Sequence, residues 1–218
     1  MTNLFSPIKI KNVQLKNRII LSPMCQYSCE DGFANDWHLV HYGSRAVGGA
    51  GAIISEAIAV CSEGRISPND LGIWKDEHIP YSKRITNFIE KQGSIPGIQL
   101  AHAGRKAGKP RPRKDYNAKG KAAIGWQCYA PSAIPFQDGD AVPVEMSTKE
   151  IKKTIQYFQD AAKRARQAGF KKVQGCELLC SRYCQFLLEF ANLLRRFRFV
   201  SLNWSAAEIM NTYEINNS

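Results

Sequence analysis

Residues 51–60 read GAIISEAIAV and residues 94–102 read SIPGIQLAH. Each is a short apolar run set off by glycine or polar residues, the pattern of a buried strand. Between them, residues 78–93 place Ile79, Ile85, Phe88 and Ile89 at helical spacing and close on Gly93, a stop signal. Strand, helix, strand in that order is a βα repeat, and such repeats imply a parallel sheet. The series extends in both directions. Upstream, residues 18–24 (RIILSPM) form another strand-like run, and residues 39–48 have helical spacing closed by Gly48 and Gly49. Downstream, Ser147 and Glu150 stand three apart as in a capping box. The helix they open carries Ile151, Ile155, Phe158, Ala161, Ala162 and Ala165 on one face and stops at Gly169.

Polar residues sit at or near the ends of the expected strands: Cys25, Glu56, Gln99 and His102. In a βα barrel the C-terminal strand ends form the active-site face. In a doubly wound sheet the same ends hold ligands at the switch point. A closed (β/α)8 barrel takes ~250 residues. This chain has 218 and three or four strand units by residue 175, so a complete doubly wound domain fits the length better than a finished barrel. No GxGxxG or GxxxxGK[ST] loop is present, so nothing signals nucleotide binding by either motif.

The motifs carry a resemblance. Residues 4–19 (LFSPIKIKNVQLKNRI), 22–28 (SPMCQYS), 70–74 (DLGIW), 97–107 (GIQLAHAGRKA), 130–136 (APSAIPF) and 142–147 (VPVEMS) resemble the old yellow enzyme family, nearest its thermophilic-like bacterial NADPH dehydrogenase branch. The likeness runs from about residue 3 to residue 170, and the shared order of separate motifs makes it specific. It implies the N-terminal part of a TIM (β/α)8 barrel, with a β-hairpin around residues 5–16 at the barrel bottom and FMN at the strand C-termini. It carries flavin contacts onto Ser22, Pro23, Met24, Cys25, Ala57 and Gln99. Tyr27 matches a tyrosine that touches substrate and is the catalytic candidate. In such an enzyme NADPH reduces the flavin, and the flavin passes hydride to the β-carbon of an enone or related electrophile. The residue types suit that role. A thiol beside the flavin tunes its potential, and a carboxamide pairs with the donor and acceptor edge of the pyrimidine ring. Taken singly, Cys25 reads as a small buried hydrophobe, and Gln99, His102 and Tyr27 read as a strand polar group, a structural histidine and a rim aromatic.

The likeness fades near Gly169. There the family runs into a strand ending in HxxHxY, whose histidines bind the substrate carbonyl and whose tyrosine donates a proton. Counted without a gap, those positions fall on Cys176, Leu179 and Ser181, and no histidine follows His102. Donors aimed at a developing oxyanion are each worth ~2.7–4 kcal/mol, so the resemblance implies impaired enone reduction. The expected division is therefore 1–170, a flavin-binding barrel half, and 171–218, a divergent tail in place of the later barrel units, as a shifted frame or truncated gene would leave.

The formal net charge of +11 concentrates in residues 105–121, RKAGKPRPRKDYNAKGK. This run reads as a solvated basic loop or a rim attracting NADPH phosphates, ahead of a nucleic-acid contact. Cys176, Cys180 and Cys184 are spaced four apart, which fits no CxxC ligand pair, so no metal is expected. Without a signal peptide or an apolar run of membrane length, the expectation is a cytoplasmic protein with no membrane partner. A second copy of the chain is a candidate partner, as in this family. Two classes remain: an FMN-dependent oxidoreductase, and a non-catalytic remnant acting as a basic anion- or nucleic-acid-binding module.

Overall fold

The computed structural model describes residues 3–10, 13–111 and 126–175, with the backbone alone for 174–175. In chain order the elements are β1 (Ile8–Ile10), β2 (Val13–Leu15), β3 (Ile20–Leu21), α1 (Asp36–Val47), β4 (Ala52–Ala59), α2 (Ile79–Lys91), β5 (Ile95–Ala101), β6 (Tyr129–Ala130), β7 (Val144–Glu145), α3 (Thr148–Gln167) and β8 (Lys172–Gly175). Strands β1 and β2 pair antiparallel, Ile8 opposite Leu15, the hairpin expected near residues 5–16. The main sheet has the order β3-β4-β5-β8, and every pairing in it is parallel. One helix separates each successive pair of these strands, so the sheet is three consecutive βαβ crossovers.

The helices pack on one face of this sheet. Ile53, Ile58, Ile98, Leu100 and Val173 meet Tyr42 and Ala46 of α1, Ile85 and Ile89 of α2, and Phe158, Ala161, Ala162 and Ala165 of α3. Three alanines at zero exposure let α3 lie close to the strands, and burying Phe158 beside them contributes about 2–3 kcal/mol. Helix ends follow local chemistry. Ser147 Oγ accepts from Glu150 N at 3.3 Å while Glu150 Oε2 accepts from Ser147 N at 2.7 Å, the reciprocal capping box. Gly169 then turns the chain at φ 88°, in the left-handed region that favours glycine.

Two boundaries differ from the sequence expectation, each for a physical reason. Helix α1 begins at Asp36, three residues before the expected start, because Asn35 caps it through Trp37 N at 3.1 Å. Its first turn is exposed at Asp36 and Trp37, so apolar periodicity does not mark it. Strand β3 spans two residues in place of 18–24, because the chain leaves the ladder at Ser22 and becomes a loop. No helix among the described residues is long and apolar enough to cross a membrane.

Candidate active site at the strand ends

The decisive irregularity lies in β4. Ile54 is opposite Gly97, but Ala57 is opposite Gln99, so β4 carries one extra residue between them. This is a β-bulge, which bends the strand and redirects side chains. The bulge leaves backbone groups to be satisfied by side chains. Ser55 Oγ accepts from Gln99 N at 3.4 Å, and the Tyr42 hydroxyl accepts from Glu56 N at 2.9 Å. Ile53, Ser55 and Ile58 all line the small apolar cavity under α1 and α2. The step from 55 to 58 is odd, so the bulge keeps Ile58 on the helix side. Ala57 is left opposite Gln99 at the strand end.

The same bulge sends Glu56 away from the strand-end rim where the sequence reading placed it. Glu56 has zero exposure. Its Oε1 accepts from the Tyr42 hydroxyl at 3.2 Å and lies 3.4 Å from His38 Nε2. Its Oε2 accepts from Gln26 N at 2.9 Å. The Cys29 sulfur lies 3.3 Å from the same His38 Nε2. A buried polar network thus links α1, β4 and the loop after β3.

That loop carries Ser22, Pro23, Met24, Cys25 and Tyr27. Ser22 and Met24 are exposed, whereas Cys25 and Tyr27 are partly buried. The Cys25 thiol stands close to the Ala57 backbone N–H and the Tyr27 side chain, both of which act to lower its pKa. This approach brings the loop after β3 to the end of β4. Burial first, then the charges of Glu56 and Asp70, push the Cys25 thiol up to about 11. It is therefore a neutral thiol at physiological pH and a weak donor. Burial, then the neighbouring Cys25, pushes Tyr27 up to about 12. Tyr27 also has φ 51°, an uncommon conformation for a side chain of that size.

On β5, Gln99 is only partly buried. Among the described residues its carboxamide makes no hydrogen bond, so both its donor and its acceptor are available to a ligand. Ala57 and Gln99 thus stand side by side near the C-terminal ends of β4 and β5, and Cys25 approaches Ala57 from the loop after β3. A protonated thiol, a small alanine and an open carboxamide fit the edge of a flavin ring, which needs a weak donor, close approach and paired donor–acceptor contacts.

Flanking segments frame this face. In residues 70–74, Asp70 accepts from Ile66 N at 2.7 Å and from Ser67 Oγ at 2.8 Å. Leu71 and Ile73 enter the core. The Arg65 guanidinium stacks between Trp74 and Trp126, 5.2 and 4.9 Å from their ring centres. His102 lies under this frame, 2 % exposed. Burial lowers it to about 4, and its Nδ1 accepts from Gly104 N at 3.1 Å. Its contact is thus with the turn that follows β5. Of the basic run, Lys106 lies over the Phe136 ring at 4.5 Å and Lys109 pairs with Asp140.

A family model described as the NADH:flavin oxidoreductase / NADH oxidase family matches residues 3–176. The chain belongs to this family. The NADPH dehydrogenase of Bacillus subtilis strain 168 is 48 % identical over 173 residues, covering 78 % of this chain and 47 % of the relative. That of Geobacillus sp. strain WCH70 is 46 % identical over 175 residues, covering 79 % and 47 %. Among solved structures, an old yellow enzyme homologue from Zymomonas mobilis superposes with TM-score 0.66 at 28 % identity, over 79 % of this chain and 47 % of that one. Morphinone reductase superposes with TM-score 0.76 at 24 % identity, over 90 % and 59 %. The described residues therefore correspond to part of the TIM barrel of the old yellow enzymes, four of its parallel strands with their helices. The chain spans about half the length of the curated relatives it matches. Members of the family use FMN and a nicotinamide dinucleotide.

Sequence reasoning missed Glu56 as a buried anchor, Tyr42 and His38 as its partners, and the Arg65 stack. The available signal was the polar pair Ser55–Glu56 inside an otherwise apolar run. The positions matched to the family's HxxHxY, the late cysteines and residues 112–121 of the basic run lie outside the described residues.

Proposed function

We propose that this chain is the flavin-binding portion of an FMN-dependent oxidoreductase of the NADPH dehydrogenase type, acting on an activated alkene. The observation that carries the proposal is the convergence of Cys25, Ala57 and Gln99 at the strand ends, with Ala57 and Gln99 in direct register and Cys25 near Ala57. When bound, FMN supplies two-electron hydride transfer from NADPH to the alkene β-carbon. Ser22, Pro23, Met24 and Cys25 form one wall of the flavin site, Ala57 allows close approach, and Gln99 fixes ring orientation. The Cys25 thiol stays protonated and offers a weak hydrogen bond, and Tyr27 stands beside it to meet the substrate.

The positions matched to the substrate-binding histidines are Cys176 and Leu179, and Ser181 replaces the proton donor. Cysteine is a weak donor and leucine none. The chain itself should therefore oxidise NADPH slowly and reduce enones poorly. The test is the visible spectrum of the purified protein followed by FMN titration. A yellow protein with one flavin per chain supports the reading, and a colourless protein that stays apo in excess FMN overturns it. Cyclohexenone turnover at an ordinary enzymatic rate would overturn the impairment. The rival basic-module reading is weakened because Lys106 and Lys109 are engaged within the fold.

A further inference from the structure

We infer that Glu56 is a positioning residue for the flavin site: its buried carboxylate holds the peptide between Cys25 and Tyr27 and thereby sets where both side chains stand. The inference deepens the flavin reading and rests on it for its functional consequence.

Inside the loop after β3, Gln26 Nε2 donates to Met24 O at 2.8 Å and Ser28 Oγ to Gln26 O at 2.9 Å, but neither bond engages the Gln26 N–H or ties the loop to the sheet. The loop runs two residues beyond β3 before reaching Met24, which is 44 % exposed, and it contains Tyr27 at φ 51°. A non-glycine residue in that region persists only where the surroundings over-determine it. Downstream, the chain is anchored by side-chain amides. Asn35 Nδ2 donates to Ser28 O at 2.7 Å and Asn69 Nδ2 to Cys29 O at 2.8 Å. Asn69 O also accepts from Cys29 N at 3.0 Å. Those contacts begin at Ser28. Upstream of them, the fully buried side chain that reaches the backbone is Glu56, through Gln26 N at 2.9 Å.

Glu56 is itself held on three sides. The Tyr42 hydroxyl donates to Oε1 at 3.2 Å and receives the Glu56 N–H at 2.9 Å, which closes a ring around the bulge residue. His38 Nε2 stands 3.4 Å from Oε1, and Asn35 Oδ1 lies 2.9 Å from the other ring nitrogen of that histidine. The Tyr42 hydroxyl and the Gln26 N–H both use the Glu56 side chain as an acceptor, as a carboxylate does. The bulge that aligns Ala57 with Gln99 is thus the same feature that aims Glu56 at Gln26. One extra residue in β4 orders two walls of the site together.

The test uses flavin-free protein first. Amide exchange measured by NMR on the unsubstituted chain should show the Gln26 N–H protected, although the neighbouring Met24 is exposed. Exchange of that amide at the rate of an unprotected peptide overturns the inference without any variant. In Glu56→Ala the Gln26 amide should lose protection by tenfold or more while amides of β4 and β5 keep theirs. Glu56→Gln retains an oxygen for Gln26 N and should restore most of the protection. Equal Gln26 protection in all three proteins overturns the assignment. FMN titration then reads the consequence: affinity should fall about tenfold in Glu56→Ala and stay near the unsubstituted value in Glu56→Gln. Failure of the unsubstituted chain to bind FMN would sink the flavin reading and leave the exchange result standing, so the two failures are distinct.

Discussion

At the scale of single residues, two buried titratable groups act against each other. Asp70, 2 % exposed, is raised from 3.8 to about 6, chiefly by burial. His102 is lowered from 6.5 to about 4, again by burial. Each shift corresponds to about 3 kcal/mol. The signs are opposite. The folded pKa of Asp70 lies above its unfolded value, so its contribution is full below 3.8 and is lost as pH rises through 6. That of His102 lies below, so its contribution is full above 6.5 and is lost as pH falls through 4. Between pH 6.5 and 4.5 the two should nearly cancel. His102→Asn, whose amide oxygen can still accept from Gly104 N, should leave Asp70 unopposed and make the protein gain stability on acidification relative to the parent. Asp70→Asn should tilt the profile the other way. Urea unfolding at both pH values reads this, and identical slopes in the three proteins would refute it. Other carboxylates are common to all three and drop out of the comparison.

At the scale of elements, glycines decide which aromatic side chains can pack. A Cβ on Gly72 would sit 1.9 Å from Trp74 Cζ3, and that ring is one face of the Arg65 stack. Gly72→Ala must therefore displace the Trp74 ring and loosen the frame beside β4, at a cost of about 1–3 kcal/mol for overpacking. A lowered urea midpoint together with changed tryptophan emission is the expected result, and unchanged values of both would count against the packing. Such elements were legible in the sequence to different degrees. The capping box of α3 is a pattern of residue types and was readable. So was the alternation of strands and helices, because Gly48, Gly93 and Gly169 mark the helix stops. The β4 bulge was not readable. Residues 51–60 are all buried, so no alternation distinguishes one face from the other, and an added residue changes no visible period. The brevity of β3 was hidden for a related reason. Ile19, Ile20 and Leu21 are apolar like a strand, yet the run beyond them continues as Ser-Pro-Met outside any ladder. The proposed flavin contacts rest on motif resemblance, and the structure sets Ala57 in register with Gln99 and Cys25 near Ala57.

At the scale of the whole molecule, the candidate site and the core belong to the same sheet. Ala57 and Gln99 are ladder residues of β4 and β5, and the opposite faces of those strands bury Ile53, Ile58, Ile98 and Leu100 against the helices. A ligand that grips the strand ends must then stabilise the cooperative unit and not a peripheral loop. Binding to the folded state alone adds RT ln(1 + [L]/Kd), about 2.7 kcal/mol at a hundredfold excess over Kd. FMN at that excess should raise the urea midpoint of the parent chain with no change in the dependence on urea concentration, because the surface exposed on unfolding is the same. Gln99→Ala removes one ligand hydrogen bond from a partly buried position and leaves the Ile98 and Leu100 packing intact. Its midpoint without FMN should therefore match the parent, whereas its gain at the same FMN concentration should fall by about 1 kcal/mol. That split separates a ligand contact from a fold contact. A Gln99→Ala chain that is weaker without FMN, or that gains as much from FMN as the parent, would remove Gln99 from the flavin site while leaving the sheet as described.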